Sequence, residues 1–467
     1  MVSAFSALSV RGRGAARLAA ATLVSGFVAV SLLAGAGPAA ADEAPQVQGG
    51  ATATIGGLKT YGEAVIHQKS GDAQVSAGLF EMSVDGGGML QTYCVDLHNP
   101  TQRDAKYHET AWSGTSLGAN KSAGKIRWIL QNSYPQVNDL ATLAAKAGAR
   151  GLTEQDAAAG TQVAIWRYSD GADVDAVDPQ AEKLADYLLK NARDTAEPSA
   201  SLTLDPPAVS GRPGERLGPV TVHTNASGVT VTPPADAATS GVRIVDKNGK
   251  AVTSAADGGQ VFFEVPKDAP AGSAGLTVQA STTVPVGRAF TSESRSQTQI
   301  LAGSSESTVS ATASADWADD GAIPALSARQ DCARSGLDIA VANKGDEPYP
   351  FALMGVERSI AAHTSETVTI PFQEDQAYDF TLTAPNGSEK RFAGVLDCRT
   401  QGDAGGDTTQ LLSEPSPATV GGTATDTNLA DTGGSAITPM IMVVAIGLVA
   451  IGATALVLLR DRKPNQG

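Results

Sequence analysis

The sequence predicts a multidomain chain: an α+β unit, two all-β units of the Ig-like sandwich kind, a disordered stalk and a C-terminal membrane-crossing helix. At 467 residues the chain is too long for one core. Apolar residues at helical spacing stop near residue 196 and give way to short β-branched runs between Gly, Pro and Asp turns. The last apolar run, residues 437–459, carries no charge and as a helix is long enough to cross a hydrocarbon layer of about 30 Å.

With 5% aromatic and 18% charged residues beside 50 Gly and 24 Pro, the composition suits exposed β-rich modules better than a compact cytosolic enzyme. The formal charge is −15. Setting aside residues 1–41 and 433–467 takes the basic count from 34 to 28 and the acidic count from 49 to 48, a net charge of −20. With Lys and Arg nowhere clustered, such a surface excludes nucleic acid as a partner.

Residues 1–41 read as an export signal: a basic stretch to Arg17, an apolar run, then Ala39-Ala40-Ala41 before a cleavage point. Residues 42–198 form the α+β unit. Strands are expected at 63–66, 74–84 and 89–97, the last two joined by a turn at Gly86-Gly87-Gly88. Helices are expected at 122–131, 139–149, 153–168 and 181–193. Thr153 with Asp156 makes an acidic variant of the capping box, and Gly171 a stop.

Residues 199–302 read as a β-sandwich with strands at 220–223, 229–232, 260–265 and 276–280. A polar linker is expected over 303–320. A small β-unit follows over 321–400, with strands at 337–342, 367–372, 378–382 and 392–396. Residues 401–428 are too poor in large apolar side chains to offset their chain entropy and are expected to be a disordered stalk.

Cys332 and Cys398 bracket the 321–400 unit and are expected to pair, stabilising it by about 4 kcal/mol in the chain-entropy treatment. Cys94 is then left over, and an odd cysteine in an exported chain flags a reactive thiol. It stands in Thr92-Tyr93-Cys94-Val95-Asp96 on an expected strand, while Thr161-Gln162-Val163-Ala164-Ile165-Trp166 lies on the capped helix.

These two segments resemble the signatures of the Cys-Gln thioester domains of Gram-positive surface proteins, the second being the TQxA motif; the resemblance covers about residues 50–196. It implies that the Cys94 sulfur bonds the Gln162 side-chain carbonyl carbon with loss of ammonia. It also implies that a nucleophile such as a lysine amine on a protein or surface ligand later opens that bond. Trp166, four residues from Gln162 on one helix face, and Asp96, on the strand face of Cys94, are expected beside the bond.

Residues 429–467 complete the reading. Leu429-Ala430-Asp431-Thr432-Gly433, followed by the apolar span and a basic tail, resembles the LAxTG sorting signal of sortase substrates. The resemblance implies cleavage between Thr432 and Gly433 and attachment to peptidoglycan. The tail's Arg and Lys keep it on the cytoplasmic side until then. Two rival roles remain: a structural surface protein whose thioester is only an internal cross-link, and a transamidase using Cys94 as acyl carrier. The second lacks a His at cysteine-dyad spacing. The His and Cys residues show no metal-ligand spacing, no phosphate loop is present, and the chain is expected to be no enzyme and to use no metal or cofactor.

Overall fold

The computed structural model describes residues 49–399. The expected export signal, stalk and sorting signal lie outside them. Among the described residues no helix is long and apolar enough to cross a membrane, and the expected span at 437–459 is not among them.

Four strands open the fold: β1 (Thr52–Ile66), β2 (Ala73–Val84), β3 (Met89–Cys94) and β4 (Lys106–Thr110). The β2–β3 hairpin turns through Gly86, Gly87 and Gly88, all at positive φ, which explains three consecutive glycines there. Helical structure follows: α1 (Ser116–Ala119), α2 (Ala123–Asn132), α3 (Leu140–Ala147) and α4 (Glu154–Ser169), then the short β5 (Val174–Ala176) and α5 (Pro179–Asn191). The Thr153–Asp156 capping box is formed, and Gly171 follows the C-cap of α4 at positive φ. From Ala157 to Trp166 every residue of α4 is buried, because β1 and β2 cover one side while α2 and α5 cover others. A Cβ on Gly160 would run into the Ala181 carbonyl, so α4 and α5 approach backbone to backbone.

The chain then makes an excursion through β6 (Leu202–Asp205), β7 (Ala208–Gly211), β8 (Arg216–Thr224), β9 (Val229–Thr232), β10 (Arg243–Val245), β11 (Ser254–Ala255), β12 (Gln260–Glu264) and β13 (Gly272–Thr283). It returns as β14 (Ala289–Ser292) and β15 (Gln299–Ser304). These two do not join the excursion. β14 pairs with β4 and β15 with β3, and β14 and β15 pair with each other. As β1 pairs with both β2 and β4, the six strands close a ring, β1-β2-β3-β15-β14-β4, antiparallel at every seam. The expected boundary at 198 and the assignment of residues up to 302 to a separate sandwich are therefore corrected. Residues 289–304 complete the first sheet.

The expected linker at 303–320 is corrected as well. β16 (Glu306–Trp317) pairs with β13 along twelve consecutive positions and with β7 in parallel. It buries Val309, Ala311, Ala313 and Ala315 at strand period. With β11, β9, β13 and β7 it makes a five-stranded sheet that shares its core with the four-stranded sheet β10-β12-β8-β6.

The last part holds β17 (Pro324–Asp331), β18 (Gly336–Asn343), β19 (Tyr349–Leu353), β20 (Val356–Ile360), β21 (Ser365–Pro371), β22 (Ala377–Thr383) and β23 (Glu389–Val395). It has its own core, which includes Leu326, Ile339, Ile360, Ile370 and Phe392, and the Cys332–Cys398 disulfide is formed within it.

A buried ion pair fastens the returning segment. Arg288 Nε donates to Glu109 Oε1 at 2.9 Å, and its Nη1 donates to Glu197 Oε1 at 2.7 Å. Glu109 also accepts from the N–H groups of Ala51 and Ser201 at 3.2 and 2.9 Å. One carboxylate thus ties together β4, the start of β1, the exit of the excursion and its return. Replacing Arg288 with Leu leaves Glu109 buried and short of its counter-charge. The expected loss is about 3–5 kcal/mol, read from urea unfolding at pH 7.

Candidate functional site

Cys94 is the last residue of β3, and Gln162 is on the buried α4 helix, which packs against β1, β2 and β3. The backbone N–H of Cys94 donates to Gln162 Oε1 at 3.0 Å, and Gln162 Nε2 donates to the Cys94 carbonyl at 2.9 Å. The carboxamide is thereby held flat against the backbone of the cysteine by both of its ends. Cys94 is 3% exposed and Gln162 0%. Burial pushes the Cys94 thiol far above its ordinary range, with a bond from Gln299 acting in the other direction. The two residues singled out by their motifs therefore meet through the backbone of Cys94, in a site that excludes bulk water.

The remaining shell combines expected and unexpected residues. Trp166 is buried in the core one turn beyond Gln162, and its indole N–H meets no acceptor among the described residues. Tyr93 points to the other face, as alternation along a strand requires, and its hydroxyl donates to the Tyr134 carbonyl at 2.9 Å. β3 ends at Cys94 instead of continuing to residue 97, because the chain bends after Val95, whose N–H donates to the Thr298 carbonyl at 3.1 Å. Asp96 is thus corrected from a strand position to the loop just after the bend at Val95. Its carboxylate accepts from the His98 backbone at 3.1 Å and from the Asn99 side chain.

Gln299 was not anticipated, and it, in place of the expected Gln162, is the glutamine whose carboxamide faces the Cys94 sulfur. Its Nε2 donates to Cys94 Sγ at 3.3 Å, and its Oε1 accepts from Thr92 Oγ1 at 2.9 Å. It lies directly opposite Cys94 in the β3–β15 register. The sequence signal is faint: one Gln within the run Gln299-Ile300-Leu301-Ala302, a polar side chain among residues that otherwise read as core.

Three carboxyl groups gather around the bend. Asp96, Asp170 and Asp397 are each pushed up to about 7, in every case chiefly by burial. The charge of Asp170 adds to the effect on Asp96, and that of Asp96 to the effect on Asp397. Asp170 accepts from the Leu97 N–H at 3.1 Å, and Asp397, from the far end of the chain, accepts from Thr298 Oγ1 at 2.9 Å. Glu374, Asp375 and Asp397 offer carboxylate oxygens within 4.8 Å of one another, a spacing able to hold a cation. A cleft of about 150 Å³ lies between β4, β14 and the last part of the chain, lined in part by His108, Glu293, Gln330 and Tyr378; neither Cys94 nor Gln162 reaches it.

Residues 91–194 match the sequence model of the thioester domain family, a segment that contains Cys94, Asp96, Gln162 and Trp166. Among solved structures, the Bacillus anthracis TIE protein is 15% identical, with 74% of this chain and 81% of that one covered and a TM-score of 0.26. The thioester domain of the Enterococcus faecium TIE86 protein is 16% identical, covering 57% and 96%, with a TM-score of 0.27. The E. coli chaperone DraB is 11% identical, covering 42% and 98%, with a TM-score of 0.16. No curated protein matches the chain.

The raised carboxyl groups make a prediction with a definite sign. Between an unfolded value of 3.8 and a folded value of about 7, the folded state binds more protons, so these groups favour folding at low pH. That contribution is lost as pH rises through about 7. Asp170→Asn keeps an acceptor for Leu97 but cannot ionise. Its melting temperature relative to wild type is expected to rise steadily from pH 4 to pH 8, as followed by thermal melts across that range.

Proposed function

We propose that the chain is an exported surface adhesin, anchored to the cell wall through the Leu429–Gly433 sorting signal. It would bind its target covalently through a thioester between Cys94 and the glutamine that faces its sulfur across the β3–β15 seam, Gln299. The observation that carries this reading is the Gln299 carboxamide set against the Cys94 sulfur, its Nε2 3.3 Å from Sγ, while Gln162 grips the backbone of the same cysteine within the segment that matches the thioester domain family.

The chemistry follows from the residue types. The Cys94 sulfur bonds the side-chain carbonyl carbon of Gln299, the carbon–nitrogen bond breaks, and the thiol proton leaves with ammonia. Two paired strands that set the residues opposite each other supply the proximity that a free thiol and amide lack. A lysine amine on the target then attacks the same carbon. Its nitrogen forms an amide to Gln299, the carbon–sulfur bond breaks, and the amine's proton returns to Cys94. The protein is consumed in one turnover, so it acts as a covalent binder and not as an enzyme. Sortase would act on it at Thr432–Gly433, leaving Thr432 joined to peptidoglycan.

A second reading has an observation in its favour. Both reacting residues are almost wholly buried, which suits a thioester kept as an internal cross-link. Small amines separate the two. The full chain is expected to be lighter than its sequence by one ammonia, beyond the hydrogens of its disulfide, and to gain one methylamine on incubation. Cys94→Ala is expected to do neither, by intact-mass measurement. Ammonia loss without methylamine uptake would favour the internal cross-link, and no ammonia loss would sink both.

A further inference from the structure

A thioester chemistry at Cys94 and Gln299 places charge on one atom in both of its steps. When the sulfur adds to the Gln299 side-chain carbon, the carbonyl electrons move onto Oε1, and when an amine adds to the thioester they move onto the same oxygen again. That oxygen already has a donor: the Thr92 hydroxyl donates to Gln299 Oε1 at 2.9 Å. Thr92 lies two residues before Cys94 on β3, so the two side chains share a strand face, and Gln299 stands opposite Cys94 in the β3–β15 register. Thr92 and Gln299 are both 0% exposed, so bulk water does not compete for the oxygen.

We propose that Thr92 is a catalytic residue of the Cys94–Gln299 pair, its hydroxyl stabilising the oxyanion that forms on the Gln299 acyl oxygen when the thioester is made and again when an amine opens it. The inference rests on the thioester reading and adds to it the donor for the charged intermediate. In a buried site that charge has no solvent around it, so a fixed O–H aimed at the oxygen lowers both barriers by more than the same bond would in water. Neighbouring donors are engaged elsewhere. Gln162 spends both ends of its amide on the Cys94 backbone, and Tyr93, on the other strand face, donates to the Tyr134 carbonyl.

Thr92 gives up no proton in either step. In the first, the carbon–sulfur bond forms, the oxyanion collapses and the carbon–nitrogen bond breaks. Gln299 Nε2, 3.3 Å from Sγ, is the nitrogen that leaves, and the thiol proton leaves with it as part of ammonia. In the second, the amine nitrogen bonds the same carbon, the oxyanion collapses again, the carbon–sulfur bond breaks and the amine's proton passes to the sulfur. The threonine and the cysteine come from one strand and the acyl group from its partner, so a single seam sets nucleophile, acyl carbon and oxyanion donor.

The test compares the full chain with Thr92→Val, which keeps the shape and loses the hydroxyl, and Thr92→Ser, which keeps the hydroxyl. Three quantities are read: the fraction of freshly purified chains that has lost ammonia, the rate at which that fraction takes up methylamine, both by intact mass, and the melting temperature. Thr92→Val is expected to have a smaller converted fraction, and that fraction to take up methylamine about a hundredfold more slowly than wild type, the effect of losing one oxyanion donor. Thr92→Ser should restore both. The uptake rate separates this role from mere orientation of the amide, because in the formed thioester the covalent bond itself holds the acyl group in place. A folded Thr92→Val whose converted fraction takes up methylamine at the wild-type rate therefore overturns the proposal. If Thr92→Val does not fold, a folded Thr92→Ala at the wild-type rate overturns it instead. Should wild type itself lose no ammonia, the thioester reading fails and this role falls with it; ammonia loss in wild type with an unaltered Thr92→Val removes this role alone.

Discussion

The pairing of β15 with β3 is the constraint from which the rest of the structure follows. A strand that ends a hairpin presents a row of unpaired N–H and C=O groups, and β3 and β4 each leave one such edge open. Nothing between residues 111 and 201 fills the gap, because that stretch is spent on the helices that cover the barrel. The chain closes it only after an excursion of two further sheets, with a pair of strands four and six residues long. Cys94 sits on this late seam, so the backbone that positions it is complete only once residue 299 has arrived.

That topology makes the excursion part of the same structural unit. β13 runs into β14 across a short turn, and β15 runs almost directly into β16, which returns alongside β13 for twelve residues. The two ends of the excursion are therefore locked to each other and to the barrel. Arg288 and Glu109 seal the same junction electrostatically, at a depth where either charge alone would be costly. A chain cut at residue 198 would expose the edges of β3 and β4 and lose the residue opposite Cys94.

Local order was legible in the sequence, and non-local order was not. The helix at 154–169 announced itself through its cap and its spacing, and the Cys332–Cys398 pairing through the position of the two residues around one module. Cys94 and Gln162 stood out by motif. The long β16 was read as linker because its inward residues are Ser307, Val309, Ala311, Ala313 and Ala315, and alanine against serine or threonine gives almost no hydropathy contrast at period two. β14 and β15 were missed for a different reason. Their partners lie some two hundred residues away, and no local pattern encodes which edge a short strand will fill. Asp96 was placed on the wrong element because the end of β3 is set by the bend at Val95 and its bond to Thr298, again a partner from the returning segment.

On the proposed function the site must satisfy two opposed demands. An acyl bond to sulfur survives only where water is scarce, which the burial of Cys94 and Gln299 provides. The same burial makes the sulfur a poor nucleophile and a poor leaving group, since its charged form is the one that low polarity penalises most. A wholly apolar shell would store the bond and never let it form or open. A few oriented donors within an otherwise apolar wall resolve the conflict, because they favour charge at one atom without admitting solvent. The β3–β15 seam allows this arrangement, for two paired strands can set a threonine, a glutamine and a cysteine side by side on one face while their backbones remain satisfied by each other.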